Sequence, residues 1–221
     1  MATESSAKAG TVSLWPDSTE RKRMRSLKRE AVLHAAVESF NRKGYSSTSL
    51  EEVAVALNVT KPTIYHYFSN KDEVLFACVR LGLESLKKAL KSAEDANANA
   101  NGRERLGALM FDYAKVMTED FGRCVSRTPD HELSERSRNQ FRALKREVDD
   151  AIRAVVEQGM RDGSIPEGDA RLVTFTLTGA LNGIGHWFDP DGEMSADDVA
   201  AKMVTVLING IAPGPGEDPD V

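Results

Sequence analysis

LEEVAVALNVTKPTIYHYFS, residues 50–69, is the stretch whose reading decides the fold. Val53, Ala54 and Leu57 recur at helical steps and give the first half one apolar side. Asn58 then interrupts the period, and Asn tolerates a left-handed backbone better than most residues, so a tight turn is expected there. Thr60 followed by Lys61-Pro62 starts a second, short helix, expected over 61–67, because proline suits a first helical turn. Ala54 is small where the two helices must approach closely, and Val59 and Ile64 plug the angle between them. The unit reads as a helix-turn-helix whose second helix leaves Lys61, Thr63, Tyr65, His66 and Tyr67 facing outward.

Working outward, the flanks are helical as well. Toward the N-terminus, Leu27, Val32, Leu33, Ala36, Val37 and Phe40 form one face of a helix that begins at Glu20 or Ser26 and ends at Lys43, with Gly44 as its left-handed cap. Thr48 and Glu51 have capping-box spacing and are expected to start the next helix, Ser49 to Leu57. Toward the C-terminus, Asn70 caps a long helix with Val74, Leu75, Cys78, Val79 and Leu86 on its inner side. It fades in the Asn/Ala tract near Asp95 to Asn101. Further helices are expected over 103–119, 134–161, 169–188 and 195–209. No alternating run bounded by turn pairs suggests a strand, so the fold class is all-α. The expected organisation is a disordered arm over 1–19, a helix-turn-helix domain over 20–69, an effector-binding and dimerisation domain over 70–212 and a flexible tail over 213–221.

Composition excludes several classes. The 221 residues are 41 % hydrophobic and 29 % charged, as in ordinary folded domains. No apolar stretch is long enough to span a membrane. The N-terminal residues lack the apolar core of a secretory signal, so the cytoplasm is the expected compartment. Cys78 and Cys124 are too few for a disulfide framework or a structural zinc site and read as small apolar fillers. His34, His66, His131 and His186 lie too far apart to share a metal, so no metal and no cofactor are expected. His186 near Asp189 is the lone acid–base candidate, which makes a small helical enzyme the weakest reading.

Charge distribution points to a polyanion. The net charge is −5, yet residues 1–75 hold 11 Lys/Arg against 9 Asp/Glu, while residues 76–221 hold 18 against 25. Arg21, Lys22, Arg23, Arg25, Lys28 and Arg29 place six cations in nine residues with no acid among them. They form either a solvated helix start or a patch that meets phosphate, since screening confines such effects to about 8–10 Å. A short exposed helix can enter a major groove about 12 Å wide. Thr48 and Thr60, at helix starts, have hydroxyls suited to phosphate oxygens, and Lys71 adds charge at the flank. The alternative is that both threonines only cap and that the tyrosines are core.

The segment 29–75 resembles the DNA-binding domain of TetR-family transcriptional regulators. The resemblance rests on Ala35-Ala36, Phe40, Lys43-Gly44-Tyr45, Thr48-Ser49-Leu50, Val53-Ala54, Val59-Thr60-Lys61, Ile64-Tyr65-His66-Tyr67-Phe68 and Asn70-Lys71-Asp72-Glu73, about a fifth of the chain. It implies a homodimer that binds an inverted-repeat operator on double-stranded DNA, and in most members a repressor released by a small effector. Position by position, Lys61, Pro62, Thr63, Tyr65, His66 and Tyr67 match the recognition helix, and Thr48 and Lys71 match phosphate-contacting positions. Pro62 is suited to thymine methyls. Glu51 departs from members that carry a base-reading Arg; it either accepts from a cytosine amine or completes the Thr48 capping box, the favoured reading.

The C-terminal half matches more loosely. Gly179 to Gly192 resembles members that sense acyl-CoA thioesters, which suggests an acyl-CoA or aromatic-CoA effector. Another small hydrophobic ligand or a protein partner is the alternative. Gly179, Gly183 and Gly185 lie within one helix, where each glycine costs about 1 kcal/mol relative to Ala. Close helix approach at a dimer axis or room for a narrow ligand chain would explain them. Gly179, Leu181, Gly183, Ile184, Met203, Val206 and Leu207, with Leu177, are the expected dimer surface, a four-helix bundle with the partner's pair. Phe76, Phe111, Tyr113, Met117, Phe121, Phe141, Phe175 and Trp187 are candidate effector contacts, although aromatics at helical spacing are more often core. Arg136, Arg138, Arg142, Lys145 and Arg146 either meet CoA phosphates, with Arg138 and Arg142 foremost, or form a solvated face paired with Glu132, Glu135, Glu147 and Asp149.

Overall fold

The computed structural model describes residues 17–96 and 99–210. The expected tail over 213–221, and the arm as far as residue 16, lie outside them. Among the described residues the chain is helical with no strand.

The first helix, α1 (Ser18–Lys43), begins earlier than the arm assignment allows, because Asp17 caps it and accepts from the Glu20 amide at 2.7 Å. Val32, Leu33, Ala36, Val37 and Phe40 are buried, but Leu27 is 46 % exposed, since the first turns extend past the body of the protein. Gly44, at φ +84°, ends α1 and donates to the Phe40 carbonyl.

The next helix, α2 (Leu50–Ala56), corrects the expected cap by one residue. Ser49 and Glu52, not Thr48 and Glu51, form the reciprocal capping box. Asn58 adopts φ +53°, the one positive φ outside glycine among the described residues. The Val59 amide donates to Ala54 O at 2.9 Å and closes the turn. The short α3 (Lys61–Tyr65) follows, with Ile64 fully buried against Val53 and Ala54 in the shared core. Val59 does not plug the angle as expected; it is 39 % exposed.

The remaining helices are α4 (Lys71–Ala96), α5 (Gly102–Thr118), α6 (Asp120–Arg127), α7 (Glu135–Arg161), α8 (Ala170–Trp187) and α9 (Ala196–Asn209). The Glu73 amide donates to Asn70 Oδ1 at the start of α4. α6 is not among the expected helices, although Phe121, Cys124 and Val125 recur there at helical steps. It forms because the chain reverses sharply after α5, with Gly122 so close that a Cβ there would lie 1.9 Å from Val116 O. A similar approach brings Gly102, at the start of α5, onto Gly159 near the end of α7. α4 is the central strut: it packs on α5, α6 and α7 and also on α1, so one hydrophobic core continues from the helix-turn-helix into the C-terminal half.

Candidate functional site

The outward face of α3 follows from how the helix is held. Ile64 and Phe68 anchor it, at 0 % and 1 % exposure. The Asn58 turn sets its angle. Nothing in the described chain covers Lys61, Pro62, Tyr65 or His66, which are exposed, while Thr63 is half-buried. Thr60 is exposed, makes no side-chain cap and shares a 3.0 Å hydrogen bond with the Thr63 hydroxyl. His66 packs edge-on against Tyr67 at 5.1 Å. Tyr67 itself is half-buried and packs on the core, so it does not stand outward as expected.

Three further sequence expectations change here. Thr48 is 2 % exposed, and its Oγ1 lies 2.9 Å from Gly44 O and 3.2 Å from Ser39 O, so its hydroxyl pins the end of α1 rather than facing phosphate. Glu51 takes no part in a cap and instead pairs with Lys61, whose ammonium it holds above the usual lysine range. Lys71 lies 4.1 Å over the Tyr45 ring, and its Nζ is 3.5 Å from Ser46 O; burial lowers its pKa. Lys71 is therefore half-buried at the flank, held by an aromatic face that the sequence did not reveal.

A cavity of about 320 Å³ lies among α4, α5, α6, α7 and α8, lined in part by Leu83, Tyr113, Val148, Phe175, Gly179 and Asn182. Tyr113 donates to Asn182 Oδ1 at 2.8 Å, and burial raises its phenol pKa. Lys145 and Asp149 also face this space, and burial raises the Asp149 carboxyl above the ordinary range. Of the expected effector contacts, the structure brings Tyr113 and Phe175 to this wall. It does not bring the others. Phe141 and Met117 are fully buried core residues, Phe111 is half-buried beside Lys115, and Phe76 is half-buried on α4. Phe121 turns toward α1, its ring 4.9 Å from His34. Trp187 is 49 % exposed at the end of α8. In the basic cluster, Arg142 and Lys145 are ion-paired, but with Asp130 rather than the four acids expected, while Arg138 is half-buried with no hydrogen-bond partner for its Nε.

The expected dimer surface is partly core. Leu181 and Ile184 are fully buried within their own chain, because α8 turns these positions toward α5 and α6. The outer stripe of α8 runs instead through Leu172, Phe175, Gly179, Gly183 and Trp187, three to four residues apart. Leu172 is 65 % exposed, and Val206 on α9 is 50 % exposed. Met203 and Leu207 are half-buried.

Arg127 joins the two halves of the molecule. Its Nε donates to Gly185 O at 2.7 Å and one terminal nitrogen to His186 O at 3.1 Å, both at the end of α8. The other terminal nitrogen donates to Asn41 O, in the last turn of α1. Asp72 adds a second joint at the start of α7, accepting from the Ser134 amide and from the Ser134 and Ser137 hydroxyls at 2.7–2.8 Å. Burial works against the Asp72 charge, yet these donors hold its carboxyl below the usual range. No sequence motif marks Arg127; its role is visible only once α1, α6 and α8 converge.

Two short helices joined by the Asn58 turn, the second exposed, have the form of a helix-turn-helix DNA-binding unit. The comparisons agree. The family described as "Bacterial regulatory proteins, tetR family" matches residues 32–78, and "Tetracyclin repressor-like, C-terminal domain" matches residues 99–211. The crystal structure of PfmR, a TetR-family regulator from Thermus thermophilus, superposes with a TM-score of 0.75 at 29 % identity, covering 82 % of this chain and 99 % of PfmR. AibR, solved in complex with isovaleryl coenzyme A and operator DNA, gives 0.72 at 28 % identity over 82 % of this chain and 98 % of AibR. The fatty acid metabolism regulator protein of Bacillus subtilis (strain 168) is 21 % identical over 81 % of this chain and 93 % of its own length. The chain belongs to the TetR family of transcriptional regulators, not to a family of enzymes.

Proposed function

We propose that this protein is a homodimeric transcriptional repressor of the cytoplasm, released from an inverted-repeat operator by an acyl-CoA thioester. The observation that carries the DNA reading is the uncovered face of α3, with Lys61, Pro62, Thr63, Tyr65 and His66 reading the groove and Thr60 and Lys71 at its ends. Residues 20–69 serve as the reading domain and 70–212 as the sensing and dimerising domain. The apolar outer stripe of α8 supports a second copy as its cover, because Leu172, Phe175 and Trp187 stand exposed along it. The cavity between α4 and α8 suits a short acyl chain, and the Asn182 amide supplies a donor for a thioester carbonyl. The adenine nucleotide would lie outside a space of that size. The isovaleryl coenzyme A named in the AibR complex supports this class, and the Bacillus relative is named for fatty acid metabolism.

The test is selection of duplexes from a random library by the purified full chain, followed by titration with isovaleryl-CoA and longer acyl-CoAs. Enrichment of an inverted repeat, bound as a dimer and released by a thioester, supports the reading. Enrichment of no site rejects it, and release by none of the thioesters rejects the effector class.

A further inference from the structure

The first turns of α1 carry a positive charge that the described residues compensate at one position alone. Ser18 to Lys28 are exposed apart from the half-buried Glu20. Cations at a helix N-terminus oppose the helix dipole, and like charges three or four residues apart repel. Arg21, Lys22, Arg25 and Lys28 stand in that arrangement, and the one ion pair among the described residues here is Arg23 with Glu20 at 3.9 Å. Neither helix stability nor core packing explains such a composition.

Its position does. Lys22, Arg25 and Arg29 share one face, at i, i+3 and i+7. The Arg29 guanidinium lies 4.5 Å over the Phe68 ring, just past α3, so that face adjoins the recognition helix. From Arg29 back to Arg21 the helix advances about 12 Å at 1.5 Å per residue. One strand of duplex DNA presents about three to four phosphates over that length. The match to the family's N-terminal description begins only at residue 32, beyond the stripe.

We infer that the first three turns of α1 form a second DNA-contacting element, which follows the phosphate backbone beside the groove that α3 enters. This rests on the DNA reading given above. It adds affinity and footprint length but no sequence information, because phosphates position a protein without specifying bases.

The test uses the full chain on its selected duplex and on a scrambled one, with affinity measured across a salt series. The Arg21→Gln/Lys22→Gln/Arg25→Gln variant should flatten the plot of log affinity against log salt by roughly 2–3 units per bound protomer, at about 0.9 per phosphate. Its preference for selected over scrambled duplex should stay within about twofold of wild type, since all DNA loses the same contacts. Arg21→Lys/Arg25→Lys, which keeps the charge, should restore the slope and guards against a folding defect. An unchanged slope in the Gln variant overturns the inference. So does binding to phosphatidylglycerol vesicles that the Gln variant alone loses while its DNA slope is intact. A Tyr65→Ala variant that keeps its sequence preference would sink the recognition-helix reading and leave this one standing.

Discussion

Replacing Arg127 by alanine removes a side chain that ties the ends of α1 and α8 together. Its guanidinium makes three hydrogen bonds to main-chain carbonyls, two on α8 and one on α1. Burial lowers its pKa, and the neighbouring Arg123 lowers it further, so the site tolerates the charge because those carbonyls receive it. A hydrogen bond from a charged donor is worth roughly 1.5–3 kcal/mol when dry. Arg127 is only half-buried, and solvent can replace part of what is lost, so about 3 kcal/mol for the set is reasonable. In a chain of this size each kcal/mol moves the melting temperature by about 2–4 °C, which gives a drop of roughly 6–12 °C. Arg127→Lys should recover less than half of it, because an ammonium cannot fork across three acceptors on two helices. Differential scanning calorimetry of the two variants beside wild type reads this directly. An alanine variant melting within about 2 °C of wild type would refute the assignment of Arg127 as a joint.

Other consequences are independent of it. Thr48→Val should cost about 1–2 kcal/mol in urea unfolding, through the loss of its buried hydroxyl contacts, and should leave the salt slope of DNA binding unchanged. A flattened slope would return Thr48 to the phosphate-contacting set. Gly122→Ala forces a Cβ against the Val116 carbonyl and should destabilise by about 1–3 kcal/mol; an unaltered melting curve would contradict the tight α5–α6 reversal. Asp72 is held below its unfolded pKa, so its contribution is fully present above about pH 4 and is lost as pH falls through the folded value. Asp72→Asn should therefore weaken the acid-side fall in stability, and an identical pH profile for the two proteins would reject the Asp72–Ser134–Ser137 joint.

The helix-turn-helix was legible because its signals are local. Asn58 at a positive φ, Ala54 at the close approach and Ile64 at the buried angle each follow from one residue's own conformational or steric preference. The capping register slipped by one because Thr48/Glu51 and Ser49/Glu52 satisfy the same spacing, and only the burial of Thr48 under α1 separates them. α6 escapes notice although Phe121, Cys124 and Val125 recur at helical steps, because it is only eight residues long and follows α5 directly, and its glycine matters only against α5. The faces of α8 are hard to tell apart for a related reason. That helix is apolar on two sides, so Leu181 and Ile184 in the chain's own core resemble Leu172 and Phe175 on its outside. The aromatic candidates failed most often because a ring at helical spacing gives no hint of which neighbour it meets, as Phe121 against His34 shows. Salt bridges such as Arg142–Asp130 depend on the one-turn helix over 130–132, which no pattern announces.

The central claim is that the uncovered side of α3 reads base edges. It is tested most directly by the ratio of affinities for the selected and scrambled duplexes, measured for wild type and for Tyr65→Ala at fixed salt. The variant is expected to keep its non-specific affinity and its melting temperature while the ratio falls by roughly 5–150-fold, the worth of one lost base contact. A variant that retains the wild-type ratio, with its fold intact, would contradict it.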